Sequence, residues 1–280
     1  MALGIRGVTN LRLYQVDAFA ERLFEGNPAA VVPLEDWLPD SLMQSIATEN
    51  NLSETAFFVK MNDSDDAFEI RWFTPAAEVP LCGHATLASA AVLRQRLGRR
   101  TWPVEFRSAS GPLRVDLDGD RYVLDLPADP PRPAEIPAGL IAALGVDISV
   151  CLLGRAGYLL VLNEERQVHA LRPDFGLLAR AVESAIVTAP GDSYDFISRF
   201  FAPRLGIDED PVTGAGHCVL VPYWAERLDR GHLVARQISA RGGEVECEIR
   251  EDRVFLTGSA AFYLDGEISV PDQNLSQNPS

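Results

Sequence analysis

The chain has 280 residues and a formal charge of −15 at pH 7, with 25 lysines and arginines against 40 aspartates and glutamates. This balance argues against nucleic acid and anionic membranes as partners, because both bind basic surfaces. Its four cysteines lack the spacing of a disulfide framework or a zinc site, and its longest apolar run, residues 85–93, is too short to span a membrane. We therefore expect a cytoplasmic protein that holds no metal.

The first half of the chain mixes helix and strand signals. Residues 40–47 begin with capping side chains and place apolar residues on one face, which predicts a helix. Residues 68–72 alternate apolar and charged side chains, the period of a half-buried strand. The alanine-rich residues 84–97 predict a helix that ends at Gly98. The Asp-Gly step within residues 118–120 predicts a β-hairpin.

A proline-rich stretch, residues 127–137, predicts a linker near the middle of the chain. Four elements are predicted after it: a helix over 140–144, a buried strand over 157–162, a helix over 175–184 capped by Asp174, and a hairpin over 245–256. A further helix over 216–229 contains Pro222, which predicts a kink or an early break. The polar residues 273–280 predict a flexible tail.

A weak internal repeat surrounds the proline-rich stretch. The first copy reads RWFTP at 71–75 and EVPLCGH at 78–84, and the second reads RFFAP at 199–203 and EDPVTGA at 209–215. The offset is 128 residues from Pro75 to Pro203 and 131 residues from Pro80 to Pro211. An offset near half the chain length predicts two similar domains rather than an array of many repeats.

Each copy ends in a Pro-x-x-Gly turn that leads into a predicted helix. Gly83 and Gly214 allow the backbone to approach a ligand closely, and the free N–H groups of a helix start attract anions. Either glycine alone is equally explained by a tight turn. We interpret the two turns together as one carboxylate-binding site in the cleft between the domains.

Three titratable residues are candidates for acid–base chemistry. His84 directly follows Gly83, and Asp210 lies in the second turn, where a carboxylate also suits a helix N-cap. Glu54 precedes an apolar, strand-like run, where partial burial would raise its pKa towards the working range of a proton carrier. An ordinary solvated glutamate in a loop explains the local sequence around Glu54 equally well.

Four segments together resemble the PhzF family, which is named for an isomerase of phenazine biosynthesis. They are DAF at 17–19 with GNPAAVV at 26–32, SETAF at 53–57, PLCGHATL at 80–87 and EDPVTG at 209–214. The resemblance implies the α+β fold of diaminopimelate epimerase, with two pseudo-symmetric domains and the active site in the cleft between them. Each domain would be a mixed β-sheet curled around a central helix.

The resemblance also suggests domain limits. The N-terminal domain would span residues 10–126, completed by a returning strand over 266–272, and the C-terminal domain would span residues 138–265. The helices that follow Gly83 and Gly214 would be the two central helices.

The resemblance further implies a cofactor-independent isomerase that moves a proton on a small carboxylate metabolite, by a hydrogen shift or a double-bond isomerisation. Glu54 matches the family's proton-shuttling glutamate, and His84 and Asp210 match residues that bind substrate and assist the transfer. Further substrate contacts are expected from seven residues: Asn27, Ser53, Gly83, Ala85, Thr213, Gly214 and Ala215. The resemblance implies no cofactor, and it implies a homodimer.

One departure from the family pattern lies in the second turn. The family usually has Thr-Gly-Ser-Ala-His there, and this chain has Thr213, Gly214, Ala215, Gly216 and His217. The hydroxyl that would contact the substrate is therefore missing at Ala215. Its loss bears on the identity of the substrate, which the sequence leaves open, more than on proton transfer as the chemistry.

Two other functions remain alternatives. An amino-acid epimerase or racemase on the same fold would need a cysteine at both turns, and Cys82 stands at the first turn while the repeat places Thr213 at the second. Cys218 lies one helical turn further along. A non-catalytic small-molecule-binding protein is the second alternative, although it would have no need of three titratable residues in one cleft.

Overall fold

The computed structural model describes residues 7–61 and 66–272, so the tail predicted over 273–280 lies outside the described residues. The first half contains β1 (Val8–Ala18), β2 (Asn27–Leu34), α1 (Asp40–Asn50), β3 (Glu54–Lys60), β4 (Ala67–Phe73), β5 (Glu78–Val79), α2 (Gly83–Gln95), β6 (Val104–Ser108), β7 (Gly111–Asp118) and β8 (Arg121–Pro127). The second half contains β9 (Arg132–Pro133), α3 (Leu140–Leu144), β10 (Val150–Gly154), β11 (Gly157–Val161), α4 (Glu165–Ala170), α5 (Phe175–Ala181), β12 (Ala185–Pro190), β13 (Phe196–Ala202), β14 (Ile207–Asp210), α6 (Gly214–Leu228), β15 (His232–Gln237), β16 (Gly243–Arg250), β17 (Arg253–Gly258) and β18 (Ala260–Pro271). All these strands belong to one mixed sheet system, so the predicted α+β class is confirmed.

The two halves repeat the same order of strand pairing. In the first half, β1 pairs antiparallel with β2, β2 parallel with β3, β3 antiparallel with β4, and β4 parallel with β6. In the second half, β10, β11, β12, β13 and β15 pair in the same order and with the same orientations. The internal repeat of the sequence therefore coincides with a repeat of topology.

Strand pairing also joins the two halves. The last strands of the two copies, β8 and β17, pair antiparallel with each other. Strand β18 follows the second copy but pairs along its whole length with β1, and it begins at Ala260, earlier than the predicted 266–272. The proline-rich stretch is partly a strand, because β9 pairs with β10. The domain limits drawn from the sequence stay a prediction.

Helices α2 and α6 run through the interior. Every residue of α2 from Gly83 to Leu93 is buried, and α6 is buried over most of its length. A helix that is apolar on all sides is stable only inside a core. Residues of both helices, including Leu87 and Val219, belong to the same apolar cluster. The two helices are thus the common centre around which the strands pack.

Most predicted local elements are present with shifted ends. The two hairpins form between β7 and β8 and between β16 and β17. Gly119 takes a φ of 60°, as the Asp-Gly turn predicts. The side chain of Asp174 accepts a hydrogen bond from the amide of Leu177 and caps α5. This helix ends at Ala181 rather than at Ser184, since β12 begins at Ala185.

The predicted early break at Pro222 is wrong. Helix α6 runs through this proline to Leu228. A proline has no N–H group for the carbonyl of Cys218, four residues earlier. That carbonyl instead accepts a hydrogen bond from the amide of Asp129 at 3.0 Å. The helix continues because a distant part of the chain satisfies the freed carbonyl.

Candidate active site

The two glycine turns predicted from the sequence meet in the structure. Gly83 opens α2, Gly214 opens α6, and a Cβ atom added to either glycine would lie 3.4 Å from the Cα atom of the other. Among the described residues, the N-cap positions Cys82 and Thr213 make no side-chain capping hydrogen bond. Two helix starts with free N–H groups therefore lie side by side.

An arginine–glutamate pair supports the strand before each turn. Arg71 donates from Nε and Nη2 to Glu78, with both bonds at 2.7 Å. Arg199 donates in the same way to Glu209, at 2.7 and 2.8 Å. Each guanidinium also lies over an aromatic ring two residues further along its strand, at 5.2 and 4.9 Å. The internal repeat therefore extends to side-chain contacts, and bidentate pairs of this kind hold their backbones in a defined geometry.

Glu54 and His84 form the first part of the site. Glu54 begins β3, and its Oε2 lies 3.1 Å from Nε2 of His84, with both side chains nearly buried. The other ring nitrogen, Nδ1, is 3.2 Å from Nδ2 of Asn27 and 3.5 Å from Sγ of Cys82. Because the Cys82 thiol carries a hydrogen and the Glu54 carboxylate is an acceptor, a neutral imidazole would hold its own proton on Nε2, facing Glu54.

The charge of His84 follows from its neighbours. Burial lowers the pKa of His84, while Cys82 and Glu54 raise it, and the net result is a pKa well above the ordinary value. Burial also raises the pKa of the Cys82 thiol to about 11, so this thiol is neutral near pH 7. The anionic partner of His84 is therefore Glu54, and the two side chains can share a proton.

Asn27 connects this pair to Asp210 in the other half of the chain. Its Nδ2 donates to Oδ1 of Asp210 at 2.7 Å and to the carbonyl of Val212 at 2.9 Å. Since both partners can only accept, the orientation of the amide is determined. The other oxygen of Asp210 accepts from the hydroxyl of Thr213. Polar contacts thus run from Glu54 through His84 and Asn27 to Asp210.

Asp210 is an acid whose pKa lies far above that of an exposed aspartate. The pKa of Asp210 is raised from 3.8 to about 6; burial is the largest cause, the charge of His84 acts in the opposite direction, and Glu54 adds to the rise. Hydrogen bonds from Thr213 and Asn27 lower it further but do not cancel the effect of burial. This carboxyl group therefore gains and loses its proton close to physiological pH.

Comparison with known proteins identifies the family. The chain matches the PhzC-PhzF family model, described as phenazine biosynthesis-like protein, over residues 16–266. It belongs to the PhzF family. An uncharacterized isomerase of Pseudomonas aeruginosa is 52% identical over 262 residues, an alignment that covers 93% of this chain and 99% of that protein. The crystal structure of a PhzF-family protein from Enterococcus faecalis has 46% identity and a TM-score of 0.88, with 93% and 99% coverage.

A more distant structure shares the fold alone. It is a hydroxyproline epimerase from Agrobacterium vitis, with a TM-score of 0.61 and 11% identity over 95% of this chain and 94% of that one. The match to the family model confirms the resemblance drawn from the sequence. In the part of the PhzF-family chain that the structure describes, no helix has the length and apolar character needed to cross a membrane.

The seven predicted substrate contacts lie in different surroundings. Ser53 is partly exposed directly before β3, and Ala215 is partly exposed in the first turn of α6, whereas Ala85 is completely buried. The amide of Thr213 donates to Oε1 of Gln237 at 2.9 Å. The amide and the hydroxyl of Thr213 are thus both bonded within the protein. The substrate contacts predicted for this PhzF-family site stay predictions.

Gln237 is a site residue that the sequence did not reveal. Its side chain is buried, and its Nε2 donates to the carbonyl of Asp210 at 2.7 Å and to Oγ1 of Thr213 at 3.2 Å. It ends β15, 27 residues from Asp210 along the chain. A glutamine at the end of a strand has no local pattern that marks it, so only the tertiary contacts identify it.

The thiols do not form the pair that a two-thiol epimerase requires. Cys82 is in contact with His84, as its position before Gly83 suggested. Burial raises the pKa of the Cys218 thiol to about 12, and the charged groups that act on it are Asp129, Arg253 and Arg155, which lie outside the candidate site. Among the described residues, a single thiol therefore contacts His84.

Glu54, Cys82 and His84 also have the spacing of metal ligands, since one donor atom of each lies within 4.8 Å of the others. A cysteine binds metal as a thiolate. The buried Cys82 thiol, with its pKa of about 11, resists losing its proton. We interpret the trio as a carboxyl, an imidazole and a thiol group in close contact and assign no metal to it.

Proposed function

We propose that this PhzF-family protein is an isomerase that moves a proton on a small carboxylate metabolite without a cofactor. The names of its relatives in Pseudomonas aeruginosa and Halalkalibacterium halodurans support the isomerase class. The contact of 3.1 Å between Oε2 of Glu54 and Nε2 of His84 carries the proposal. It pairs a carboxylate base with a group that can hold and return a proton.

The proposed reaction begins with proton abstraction. The carboxylate of Glu54 removes a proton from a substrate carbon, and the electron pair of the C–H bond moves into the neighbouring π-system as an enolate or a shifted double bond. The proton then returns from Glu54 to a different carbon. His84 stabilises the Glu54 carboxylate before abstraction, because its raised pKa keeps a proton available on Nε2.

The same surroundings suggest how the substrate would be held. The free N–H groups at the starts of α2 and α6 would bind the substrate carboxylate and stabilise the developing enolate. Oδ1 of Asn27 is buried and accepts no hydrogen bond from the described residues. It is therefore available to a donor group on the substrate. Because the chain carries a net charge of −15, attraction for an anion must come from such local groups.

Isotope exchange tests the proposal. Candidate cyclic and unsaturated carboxylic acids are incubated with the protein in D2O, and proton NMR follows deuterium uptake or isomerisation. We expect Glu54→Gln to lower the exchange rate by at least ~100-fold, since general base catalysis contributes that much. Glu49→Gln, at an exposed position on α1, serves as the matched control with wild-type rates.

Two results would contradict the proposed function. One is an acid that binds in the site but undergoes neither exchange nor isomerisation. The other is full activity in the Glu54→Gln variant.

A further inference from the structure

The segment of residues 237–242, which connects β15 to β16, contacts both halves of the candidate site. Its first residues contact the turn that carries Asp210. Its last residues contact the loop that leads into Asn27. These contacts lie outside the Glu54–His84 pair, and residues 237–242 themselves lie outside the motifs of the sequence.

The first set of contacts holds the Asp210 turn. Nε2 of Gln237 donates to the carbonyl of Asp210, and Oε1 accepts from the amide of Thr213, at 2.7 and 2.9 Å. Oγ of Ser239 donates to the carbonyl of Pro211 at 2.8 Å. Backbone groups at three positions of the turn, Asp210, Pro211 and Thr213, are therefore bonded to two side chains of one segment.

The second set of contacts holds the loop before Asn27. Arg241 donates from Nε to the carbonyl of Gly26 at 2.9 Å and from Nη2 to the carbonyl of Glu25 at 3.0 Å. Its Nη2 also lies 2.8 Å from Oδ1 of the buried Asp17. A backbone bond of 2.7 Å runs from the amide of Gly26 to the carbonyl of Gly242. Arg241 thus binds three acceptors of the first half.

Two glycines set the backbone conformation where the loop before Asn27 meets residues 237–242. Gly26 and Gly242 have φ values of +64° and +66°, in the left-handed region that favours glycine. A Cβ atom on Gly26 would lie 2.1 Å from the carbonyl oxygen of Ala18. A Cβ atom on Gly243 would lie 3.5 Å from the Cα atom of Gly26, so the loop also passes close to the end of the segment that holds the Asp210 turn.

We infer that residues 237–242 form a brace that positions Asn27 against Asp210, with Gln237 and Arg241 as its positioning residues. Asn27 follows Gly26 directly, so a shift of this loop relative to the Asp210 turn would break the 2.7 Å bond between Asn27 and Asp210. The value of the brace for catalysis rests on the proposed function. The effect of the brace on the titration of Asp210 can be measured without any substrate.

Carboxyl titration tests the brace without any substrate. Aspartate carboxyl carbons are labelled with 13C, and the Asp210 signal is assigned by its loss in Asp210→Asn. We expect Gln237→Asn to raise the midpoint of Asp210, because the shorter amide cannot make both backbone bonds to the turn and the Asn27 bond that favours the ionised carboxylate is weakened. Arg241→Lys is expected to raise it by a smaller amount, since the Asn27 bond that favours the ionised carboxylate is weakened.

The controls separate positioning from general destabilisation. His84 and Glu54, the titratable groups that act on Asp210, are unchanged in both variants. Gln95→Asn in α2 and Arg166→Lys on the exposed face of α4 make the same chemical changes elsewhere and should leave the midpoint unchanged. If Gln237→Asn does not fold, Gln237→Met takes its place, with the same direction expected because its side chain makes neither bond and adds no charge.

Wild-type midpoints in folded Gln237 and Arg241 variants would overturn the brace. This outcome is distinguishable from failure of the proposed function. A chain with no isomerase activity would still give the titration shifts, and an active enzyme could still lack them.

Discussion

At the scale of single residues, the candidate site contains an aspartate, Asp210, whose burial disfavours the ionised carboxylate. Asp210 is buried, and its pKa of about 6 lies above the ordinary value of 3.8. Between these two values the native state binds more protons than the unfolded state, so the contribution of Asp210 to stability falls as the pH rises. At neutral pH the ionised carboxylate therefore destabilises the fold, by up to ~3 kcal/mol. Under the proposed function, the site tolerates this cost because proton transfer needs a carboxyl group that titrates near neutrality.

The Asp210→Asn variant tests this cost. The neutral amide has the same shape and needs no ionisation, so we expect the free energy of unfolding at pH 7 to increase by about 1–3 kcal/mol. The gain should disappear as the pH falls below about 4, where the aspartate is protonated in both states. Urea unfolding at several pH values measures it, with the exposed Asp208→Asn as the control. A variant less stable than the wild type at pH 7 would contradict the interpretation.

At the scale of elements, the contact between the starts of α2 and α6 determines the geometry of the site. Both helices begin with glycine, and the Cα atom of each lies 3.4 Å from the place where a Cβ of the other would stand. A Cβ on Gly83 would also lie 3.2 Å from Cδ2 of Leu124. A methyl group on one glycine alone would make ordinary contact with the opposite Cα atom, whereas methyl groups on both would meet and push the helix starts apart.

Alanine substitutions at the two glycines test this contact. We expect Gly83→Ala to lower the free energy of unfolding by about 1 kcal/mol, because Cδ2 of Leu124 must move, and Gly214→Ala to change it little. The double variant should lose more than the sum, because the two methyl groups would meet. Gly231→Ala, where the nearest atom to an added Cβ is 3.6 Å away, is the control in the same urea titration. Strict additivity would show that the helix starts do not constrain each other.

At the scale of the whole molecule, strand pairing and a shared apolar core connect the two copies. Strand β18 leaves the second copy to pair with β1, and β8 pairs with β17. The central helices of both copies contribute to one apolar cluster. Because unfolding of one half would expose the core of the other, the halves should lose their structure together.

Unfolding in denaturant tests this coupling. Trp224 is the single tryptophan of the second half, and the other three stand at positions 37, 72 and 102. In Trp224→Phe, tryptophan fluorescence therefore reports the first half while far-UV circular dichroism reports the whole chain. We expect both signals to give the same midpoint within that variant. Two separate midpoints would show that the halves unfold independently.

Much of the fold and of the candidate site follows from the sequence by itself. The Asp-Gly turn before Asp120, the alanine-rich helix α2 and the strand around Ile70 follow from local periodicity and turn chemistry, which act over a few residues. Glu54, His84 and Asp210 were recognised through family motifs, and the internal repeat predicted that the two glycine turns would meet. These signals are short and ordered along the chain.

Only the tertiary structure decided the contacts between distant segments. Arg241 binds the carbonyl of Gly26, 215 residues away in sequence, and the amide of Asp129 satisfies the carbonyl that Pro222 leaves free in α6. No local pattern encodes such contacts, since their donors and acceptors are ordinary side chains and backbone groups until packing brings them together. Local motifs thus marked Glu54, His84 and Asp210, whereas the packing of two similar halves decided their mutual positions and added Gln237 to the candidate site.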